Sequence, residues 1–421
     1  MRQMKDSGIE WIGKIPETWE VKRLKNLCTS NESMIADGDW IESPDISDEG
    51  IRYYTTGNIG DGVFKNQGNG FISESTFKKL NCTAVYPGDL VFSRLNNPIG
   101  RACIIPNNYP ICIVAVDNVI VRPDSKYDKR FLVYISMCPG YQETNMLIAR
   151  GTTMQRMSRS QLQNVDMPIP PLADQQRIAD YLDENCGEID SLIGLQEQMI
   201  EKLKAYKQSV ITEAVTKGLD PNAKLVPSGI DWIGEIPEHW DIIKVGFIFD
   251  NLDNLREPIS AEMRERNNPQ YDYYGASGVI DKIDHYNVDD KVLLIGEDGA
   301  NLVMRNLPLI YKAEGKFWVN NHAHILKPRK DDYDFMAHAL EACNYRDYIT
   351  GSAQPKLSQE NLSRVQLPVP PLSEQQAIAS YLDSKCSDID RLIALKQQKI
   401  ETLKDYKKSV IYEAVTGKTE I

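Results

Sequence analysis

Two long sequence blocks each occur twice in the chain, and this repetition limits its possible folds more than any other feature. The segment GIEWIGKIPETW (residues 8–19) returns as GIDWIGEIPEHW (229–240), with both tryptophans at matching places. A second block, 168–217, returns at 368–417 with 31 of 50 positions identical, which chance does not produce. The order of opening block, variable region and closing block therefore runs twice. Two half-chains joined in this way can fold about a pseudo-twofold axis.

Each closing block is predicted to be one long helix. From Ala173 to Thr216 there is no proline, and apolar residues recur every seven positions, which places an apolar stripe along one side of a helix. The stripe residues are Leu182, Ile189, Leu203 and Val210 in the first copy, and Leu382, Ile389, Leu403 and Val410 in the second. A rod of about 44 residues is roughly 65 Å long at ~1.5 Å per residue. Such rods bury their stripes most simply against each other, so we expect an antiparallel coiled coil that acts as a spacer.

Two details of the rods have consequences for their pairing. Gln196 and Lys396 occupy the stripe position that is otherwise apolar. A buried polar group there fixes the register of a helix pair, whereas a solvent-facing one does not, and the sequence leaves both alternatives open. If the rods are a ruler, an insertion at 217–222, just beyond the first rod, is expected to change the distance between the two flanking domains.

The variable regions, 20–165 and 241–365, are predicted to be sheet-forming domains. Runs such as VYPGDLVFSR, YPICIVAVDNVIVRP, DDKVLLIGEDGA and NNHAHILKP are rich in β-branched residues and are bounded by Gly, Pro, Asn and Asp. We therefore predict an α+β fold with two pseudo-symmetric domains, each followed by a long helix. The predicted boundaries are 1–167 and 219–367 for the domains, and 168–218 and 368–417 for the helices.

Composition excludes several classes of protein. Apolar residues make up 42% of the 421 residues and charged residues 26%, which is typical of globular proteins. The net charge of −12 argues against coating of nucleic acid by bulk electrostatics, so any DNA-binding surface must be local. The start, MRQMKDSGIEWIG, has no apolar stretch, and the longest apolar run is far too short for a membrane span. Eight cysteines without a CxxC pair predict reduced thiols in the cytoplasm.

Catalytic and metal-binding motifs are weak or missing. The sequence has no GxxxxGK[ST] phosphate-binding loop. The segment from Asn267 to Tyr271 superficially resembles the catalytic tetrapeptide of adenine methyltransferases, but its extra glutamine favours a simple turn. Pro123 to Lys126 resembles a nuclease fragment, yet a turn is the better interpretation. His322 and His324 alternate on a predicted strand without a third metal ligand nearby, so a metal site is not expected. The chain is predicted to recognise rather than catalyse.

The repeated blocks identify a family. GIEWIGKIPETW, a variable domain and then PIPPLADQQRIADYLD resemble the opening segment and domain-closing helix of type I restriction-modification specificity subunits, and the likeness covers the whole chain. The resemblance implies one target-recognition domain for each half of a bipartite site in double-stranded DNA. It also implies helices that set the spacing and dock modification subunits, with two such subunits expected. S-adenosylmethionine, and ATP with Mg²⁺, would be bound by the modification and restriction subunits, with no cofactor in this chain.

Loop composition supplies candidate DNA contacts. Segments such as SRLNNPIGR (93–101) and RGTTMQRMSR (150–159) mix Arg with Asn, Gln and Thr, which hydrogen-bond base edges and phosphates. Asn and Gly also form turns, which is the structural alternative for each loop. The candidates are Arg94, Asn96, Asn97, Arg101, Thr152, Thr153, Gln155, Arg156 and Arg159 in the first domain, and Tyr274, Ser277, Asn301, Asn320, Asn321, His322, Gln354 and Lys356 in the second.

Arg156 and Lys356 occupy matching positions in the two loops that precede the closing blocks. A cation at this position in both copies predicts a common role. We favour a phosphate contact, which would orient each domain on the DNA without discriminating between bases. The alternative is that each cation caps a carbonyl or pairs with an acidic neighbour. For the whole chain, the alternative function from another class is a two-headed coiled-coil scaffold that binds proteins and not DNA.

Overall fold

The computed structural model describes residues 2–151, 154–264, 270–351 and 355–421. Four predictions lie outside these ranges: the contacts of Thr152, Thr153 and Gln354, and the turn at 267–269. The chain forms two compact units, of which unit 1 combines Met1–Gln196 with Gln398–Ile421 and unit 2 is Glu197–Gln397. Each unit therefore contains one variable domain together with one part of each closing block.

Strands and helices alternate irregularly in both variable domains, as an α+β fold requires. The elements up to the first long helix are β1 (Met4–Asp6), β2 (Lys14–Pro16), β3 (Glu20–Arg23), β4 (Met34–Asp37), β5 (Ile51–Tyr54), β6 (Phe71–Ile72), α1 (Glu74–Lys79), β7 (Leu90–Ser93), β8 (Ala102–Ile104), β9 (Cys112–Val114), β10 (Asn118–Arg122), α2 (Lys129–Ser136), α3 (Pro139–Ile148), α4 (Arg159–Gln163), β11 (Asp166–Ile169) and α5 (Leu172–Lys217).

The second half follows a related order of strands and helices. Its elements are β12 (Leu225–Pro227), β13 (Glu235–Pro237), β14 (Asp241–Lys244), α6 (Val245–Ile248), β15 (Phe249–Asn251), α7 (Ala261–Arg264), β16 (Tyr271–Gly275), β17 (Gly278–Ile283), β18 (Val288–Gly296), α8 (Gly299–Met304), β19 (Ile310–Val319), β20 (Ala323–Pro328), α9 (Tyr333–Ala342), β21 (Ile349–Thr350), β22 (Lys356–Leu357), α10 (Gln359–Arg364), β23 (Gln366–Val369) and α11 (Leu372–Val415).

The two variable domains have the same sheet topology. In unit 1 the sheet order is β4-β10-β7-β8, and a smaller sheet places β5 between antiparallel β6 and parallel β9. In unit 2 the order is β15-β20-β18-β19, continued by β16, which is parallel to β19, and β17. The long strand β19 occupies the places of both β8 and β9. It pairs with β18 as β8 pairs with β7, and with β16 as β9 pairs with β5. The low sequence similarity of the variable regions therefore hides one common scaffold.

The opening blocks form hairpins that seat the end of a long helix. β1 pairs with β2, and β12 pairs with β13. Trp19 and Trp240 are buried behind these hairpins, where Trp19 packs edge-to-face on Phe131. Gly218, just after α5, approaches Trp240, and Gly417, just after α11, approaches Trp19. The repeated tryptophans thus mark where a helix end meets the hairpin of its unit.

The predicted pair of long helices is confirmed, and within each unit the two helices run antiparallel. In unit 1, Leu182 and Cys186 of α5 share a core with Ile411 and Ala414 of α11. Further along α5 in this unit, Asp190 accepts from Lys407 Nζ at 2.7 Å. Unit 2 has the corresponding core and the corresponding ion pair between Lys207 and Asp390, also at 2.7 Å.

The stripe residues lie on the packed side of both helices. Seven-residue spacing keeps this side facing the partner helix. Buried stripe residues are Leu182, Ile189 and Val210 in α5, and Leu382, Ile389 and Leu403 in α11, whereas Leu203 and Val410 are half-buried. Gln196 and Lys396 are half-buried as well, so both alternatives for these polar positions stay open.

Gly218 offers a stability test of the helix ends. Its φ of +74° is unfavourable for any residue with a Cβ, and an added Cβ would lie 3.0 Å from Trp240 Cζ2. We expect Gly218→Ala to lower stability by about 1–2 kcal/mol, seen as a lower midpoint of thermal unfolding. The control is Gly194→Ala inside α5, where a Cβ meets nothing within 4 Å and should raise stability by about 0.5–1 kcal/mol. Equal effects of both changes would contradict this account.

Candidate nucleic-acid interface

In unit 1 three loops meet at the end of strand β7. The backbone N–H of Arg94, which follows β7, donates to the Asp117 carbonyl at 2.8 Å. The Arg94 carbonyl in turn accepts from Met157 N–H at 3.1 Å. The predicted strand run around residue 115 is divided here, because Asn118 N–H bonds to the Ala115 carbonyl in a tight turn. This turn and the segment around Met157 are thereby fixed on either side of Arg94.

Arg94 itself is buried beneath these loops. Its guanidinium donates to the carbonyls of Val116, at 2.6 Å, and Met157, at 3.3 Å. Desolvation lowers its pKa, although Asp37 at 3.4 Å favours the charged form. A cation held in this way stabilises the loop junction and does not extend toward a ligand. We therefore leave Arg94 out of the proposed interface.

Arg101 has a similar internal role. Its guanidinium donates to four carbonyl oxygens, and burial lowers its pKa. The acceptors are those of Thr56, Ile59, Leu95 and Pro98, at 2.5–3.0 Å. This holds the predicted contact loop of Asn96 and Asn97 in place, so Arg101 is also left out of the interface.

The remaining polar candidates of this loop pair lie nearer to solvent. Asn97 is exposed, and Asn96 and Gln155 are half-buried. The backbone N–H of Asn96 donates to the Gln155 carbonyl at 3.3 Å, so candidate residues from the two loops lie close together.

Two half-exposed arginines lie above Arg94, each beside one carboxylate. Arg156 Nη2 lies 2.6 Å from Asp117 Oδ1, and Arg159 Nη1 lies 3.2 Å from Asp37 Oδ2. Their side chains are 48% and 45% exposed. We call Arg94, Arg156, Arg159, Asp37 and Asp117 the arginine cluster. Its three cations and two anions leave one net positive charge within the cluster, and exposed Arg150, which exchanges two backbone hydrogen bonds with Arg156, adds a further cation at this edge.

Unit 2 builds the same backbone frame with different side chains. Glu297 N–H donates to the His322 carbonyl at 2.8 Å, and the Glu297 carbonyl accepts from Leu357 N–H at 2.9 Å. Glu297 therefore stands where unit 1 has Arg94, and His322 stands where it has Asp117. Lys356 corresponds to Arg156 and lies 3.2 Å from Glu297. Both matching cations are thus paired with an acidic neighbour, which was the alternative to a phosphate contact.

A buried ion network supports this second frame. Arg256 lies 3.2 Å from Glu297 and 3.4 Å from Asp253, and His324 Nδ1 lies 2.6 Å from Asp253. Burial, the largest single influence, raises the pKa of Asp253, but its interactions with His324, the backbone N–H of Ile325 and Arg256 together outweigh burial, and the pKa is lowered. The other ring nitrogen of His324 bonds to the Leu357 carbonyl at 2.8 Å.

The prediction that both histidines lie on one strand is wrong. His322 lies in the turn before β20, because Asn320 Oδ1 accepts from its backbone N–H and shapes that turn. Only His324 belongs to the strand, and it is buried. In the described parts of the chain, no group of three or more His, Cys, Asp or Glu residues could hold a metal ion.

The other candidates of unit 2 divide by exposure. Ser277, Asn321 and His322 are exposed, and His322 lies 3.5 Å from Asp298. Tyr274 packs edge-to-face on Phe317, and burial raises its pKa.

Two of the predicted asparagine contacts in unit 2 are occupied within the fold. The Asn301 amide bonds to the backbone of Leu307 and Pro308, and Asn320 is buried. We therefore keep the exposed residues of this domain as candidates and interpret Asn301 and Asn320 as loop supports.

Comparison with known protein families shows the family to which the chain belongs. Residues 16–205 and 237–405 each match the family described as type I restriction modification DNA specificity domain. The chain belongs to this family. The two matches fall on the two halves that the internal repeat separates, so the predicted membership is confirmed.

Relatives in this family match either nearly the whole chain or about a third of it. A putative type I restriction enzyme specificity subunit, MjaX, from Methanocaldococcus jannaschii is 25% identical, with 97% of this chain and 96% of the relative covered. The Haemophilus influenzae specificity subunit S.HindORF215P, also putative, is 33% identical over 32% of this chain and 34% of its own length.

Solved structures share the fold. A chain from a study of complex assembly and conformational transition of the type I R-M system aligns with a TM-score of 0.71 at 16% identity, covering 96% of this chain and 99% of that one. The HsdS subunit from Thermoanaerobacter tengcongensis aligns with a TM-score of 0.51 at 15% identity, covering 96% and 98%. The prediction of two α+β domains with paired long helices is thereby confirmed.

Some features of the specificity domains were not predicted from the sequence. Asp37 and Asp117 were not singled out, because an acidic residue beside a turn is common and its partner lies dozens of residues away. Trp40, 69% exposed, follows Asp37 by three residues and also gave no signal. The eight cysteines are all free in the structure, and seven of them are buried. No helix in the described ranges is long and apolar enough to cross a membrane.

Proposed function

We propose that the chain reads a bipartite, asymmetric site in double-stranded DNA, one half with each variable domain. The supporting observation is that one backbone frame is used twice with different chemistry. At matching positions, unit 1 has Arg94 and Asp117 where unit 2 has Glu297 and His322. A shared scaffold with exchanged polar groups is suited to reading two unlike sequences, because base edges differ in their donors and acceptors.

The long helices are proposed to set the spacing and to dock two modification subunits. Exposed apolar residues follow one face of each helix, at spacings of three, four and seven residues on α5 and of three and eleven residues on α11. They are Leu192, Leu195, Met199 and Tyr206 on α5, and Leu392, Leu395 and Tyr406 on α11. Apolar stripes in water are typical of protein-binding surfaces. Catalysis, with its S-adenosylmethionine and ATP, would then belong to the modification and restriction subunits, in the cytoplasm.

A binding experiment tests the proposal against a protein-binding scaffold. The full chain, alone and with its modification subunit, is mixed with a random pool of duplex DNA, and bound duplexes are selected and sequenced. We expect enrichment of one two-part motif when both proteins are present. Binding of the modification subunit without enrichment of any DNA sequence would support the scaffold instead.

The ruler is tested by lengthening both helices. One heptad inserted after Gln196 and one after Gln397 adds about 10 Å to each helix at ~1.5 Å per residue. Because DNA rises 3.4 Å per base pair, we expect the spacer of the methylated motif to grow by about three base pairs with both half-sequences unchanged. Methylome sequencing of a host that carries the variant measures this. An active variant with an unchanged spacer would contradict the ruler.

The control is a seven-residue insertion in the connector at 219–222. The sequence alone predicts that an insertion at 217–222 changes the spacing, whereas contacts within unit 2 favour an unchanged spacing. The end of α5 approaches Trp240, and Trp240 Nε1 donates to Glu374 of α11 at 3.0 Å. Since the domain is held to both helices, the extra residues should form a loop. The spacer is therefore expected to stay the same.

A further inference from the structure

Arg156 combines exposure with a fixed anchor. Its guanidinium is half-exposed and lies 2.6 Å from Asp117, yet Asp117 Oδ1 receives no well-aligned hydrogen bond from the described residues. The contact is therefore an ion pair through Nη2, and the half-exposed guanidinium stays accessible to acceptors outside the chain.

Asp117 is itself held firmly. Its side chain is largely buried, its carbonyl accepts from Arg94 N–H, and its carboxylate lies 3.7 Å from Arg94 Nη2. The tight turn that carries it is closed by the bond from Asn118 N–H to the Ala115 carbonyl. An anchor of this kind restricts the rotamers of Arg156 before any ligand binds, and lowers the entropy that binding must remove.

The charges around Arg156 disfavour a phosphate contact. Asp117 and Asp37 cancel most of the charge of Arg156 and Arg159, and the third cation, Arg94, is buried. A phosphate placed beside Arg156 would be attracted by Arg150, the exposed cation bridged to Arg156, but would be repelled by two nearby carboxylates. An uncharged base edge meets no such repulsion, and the planar fork of arginine matches the O6 and N7 acceptors of guanine.

We infer that Arg156 reads a guanine in the major groove of the first half-site, with Asp117 as its positioning residue. This rests on the proposed function and goes beyond it by assigning a base to a side chain. Unit 2 has Lys356 at the matching position, paired with Glu297. Lysine has no planar fork, so the two domains differ in chemistry at this position of the frame.

The test uses the full chain expressed with its modification subunit, and methylome sequencing as readout. In Arg156→Ala we expect discrimination at one G·C position of the first half-site to fall roughly 10- to 100-fold, with the second half unchanged. Arg156→Lys should not restore it, because a point charge cannot make the paired hydrogen bonds. Asp117→Asn should weaken selection at the same position by a smaller factor.

Several results would overturn the inference. An unchanged motif with all sites methylated less, restored by Arg156→Lys, would assign Arg156 to phosphate. A first half-site without any G·C position would exclude guanine reading outright. As a matched control, Arg23→Ala removes another half-exposed arginine of unit 1, paired with Asp166 at 3.5 Å, and should leave the motif unchanged. A wild-type chain that directs no methylation would count against the proposed function and not against this assignment alone.

Discussion

Replacing Leu382 with alanine is expected to lower the free energy of unfolding by about 2–5 kcal/mol. Leu382 is fully buried in the core of unit 2, where residues of α11, α5 and α9 share one apolar cluster. Truncation of its side chain leaves a cavity. The surrounding helices cannot readily close this cavity, because several other contacts hold them in place. The measurement is urea unfolding followed by circular dichroism at the helix wavelength.

Leu392→Ala is the matched control for this prediction. It removes the same atoms from the same helix ten residues later, where the side chain is 45% exposed. We expect a change within about 0.5 kcal/mol, because surface substitutions seldom cost more. If the exposed stripe docks a modification subunit, this variant should instead lose affinity for that subunit. Equal destabilisation by the two substitutions would mean that burial in the seam does not hold the helices together.

The contrast between these leucines explains why the helices could be predicted. A helix is set by local spacing, and a stripe that recurs every seven residues specifies which side is buried without any knowledge of the partner. The helix predicted within 168–218 is observed as Leu172–Lys217, and its predicted start is early because residues 168 and 169 complete strand β11. The duplication also predicted the partner of this helix. The second copy carries the same apolar stripe, so each helix can bury its stripe against the other.

The sheets and the interface could not be predicted to the same depth. Strand order depends on pairs far apart in sequence, such as β4 with β10, and nothing local encodes it. The same holds for side chains. Arg94 and Asn97 lie three residues apart in the same polar segment, 93–101. Even so, Arg94 is buried and Asn97 is exposed. Loop composition located the edge of the domain, and only the fold separated supporting residues from accessible ones.

Exchanging the first variable domain should replace one half of the methylated motif completely and leave the other half as it was. The structure places the junctions. Strand β3 pairs with β11 at the base of the domain, and beyond them Leu24 N–H donates to the Val165 carbonyl at 3.2 Å. Unit 2 ends its domain identically, since β14 pairs with β23 and Val245 N–H donates to the Val365 carbonyl at 2.8 Å.

The exchange is therefore made at 24–165, so that β3 and β11 both come from the recipient and no strand pair is a hybrid. A junction at residue 20 would join a donor β3 to a recipient β11 and could destabilise the domain for reasons unrelated to recognition. The reciprocal exchange at 245–365 is the control, and it should alter only the second half of the motif. Methylome sequencing reads both halves at once. A change in both halves after either exchange would mean that the two domains read their target jointly, because a domain that recognises its half-site alone has no means of altering the other.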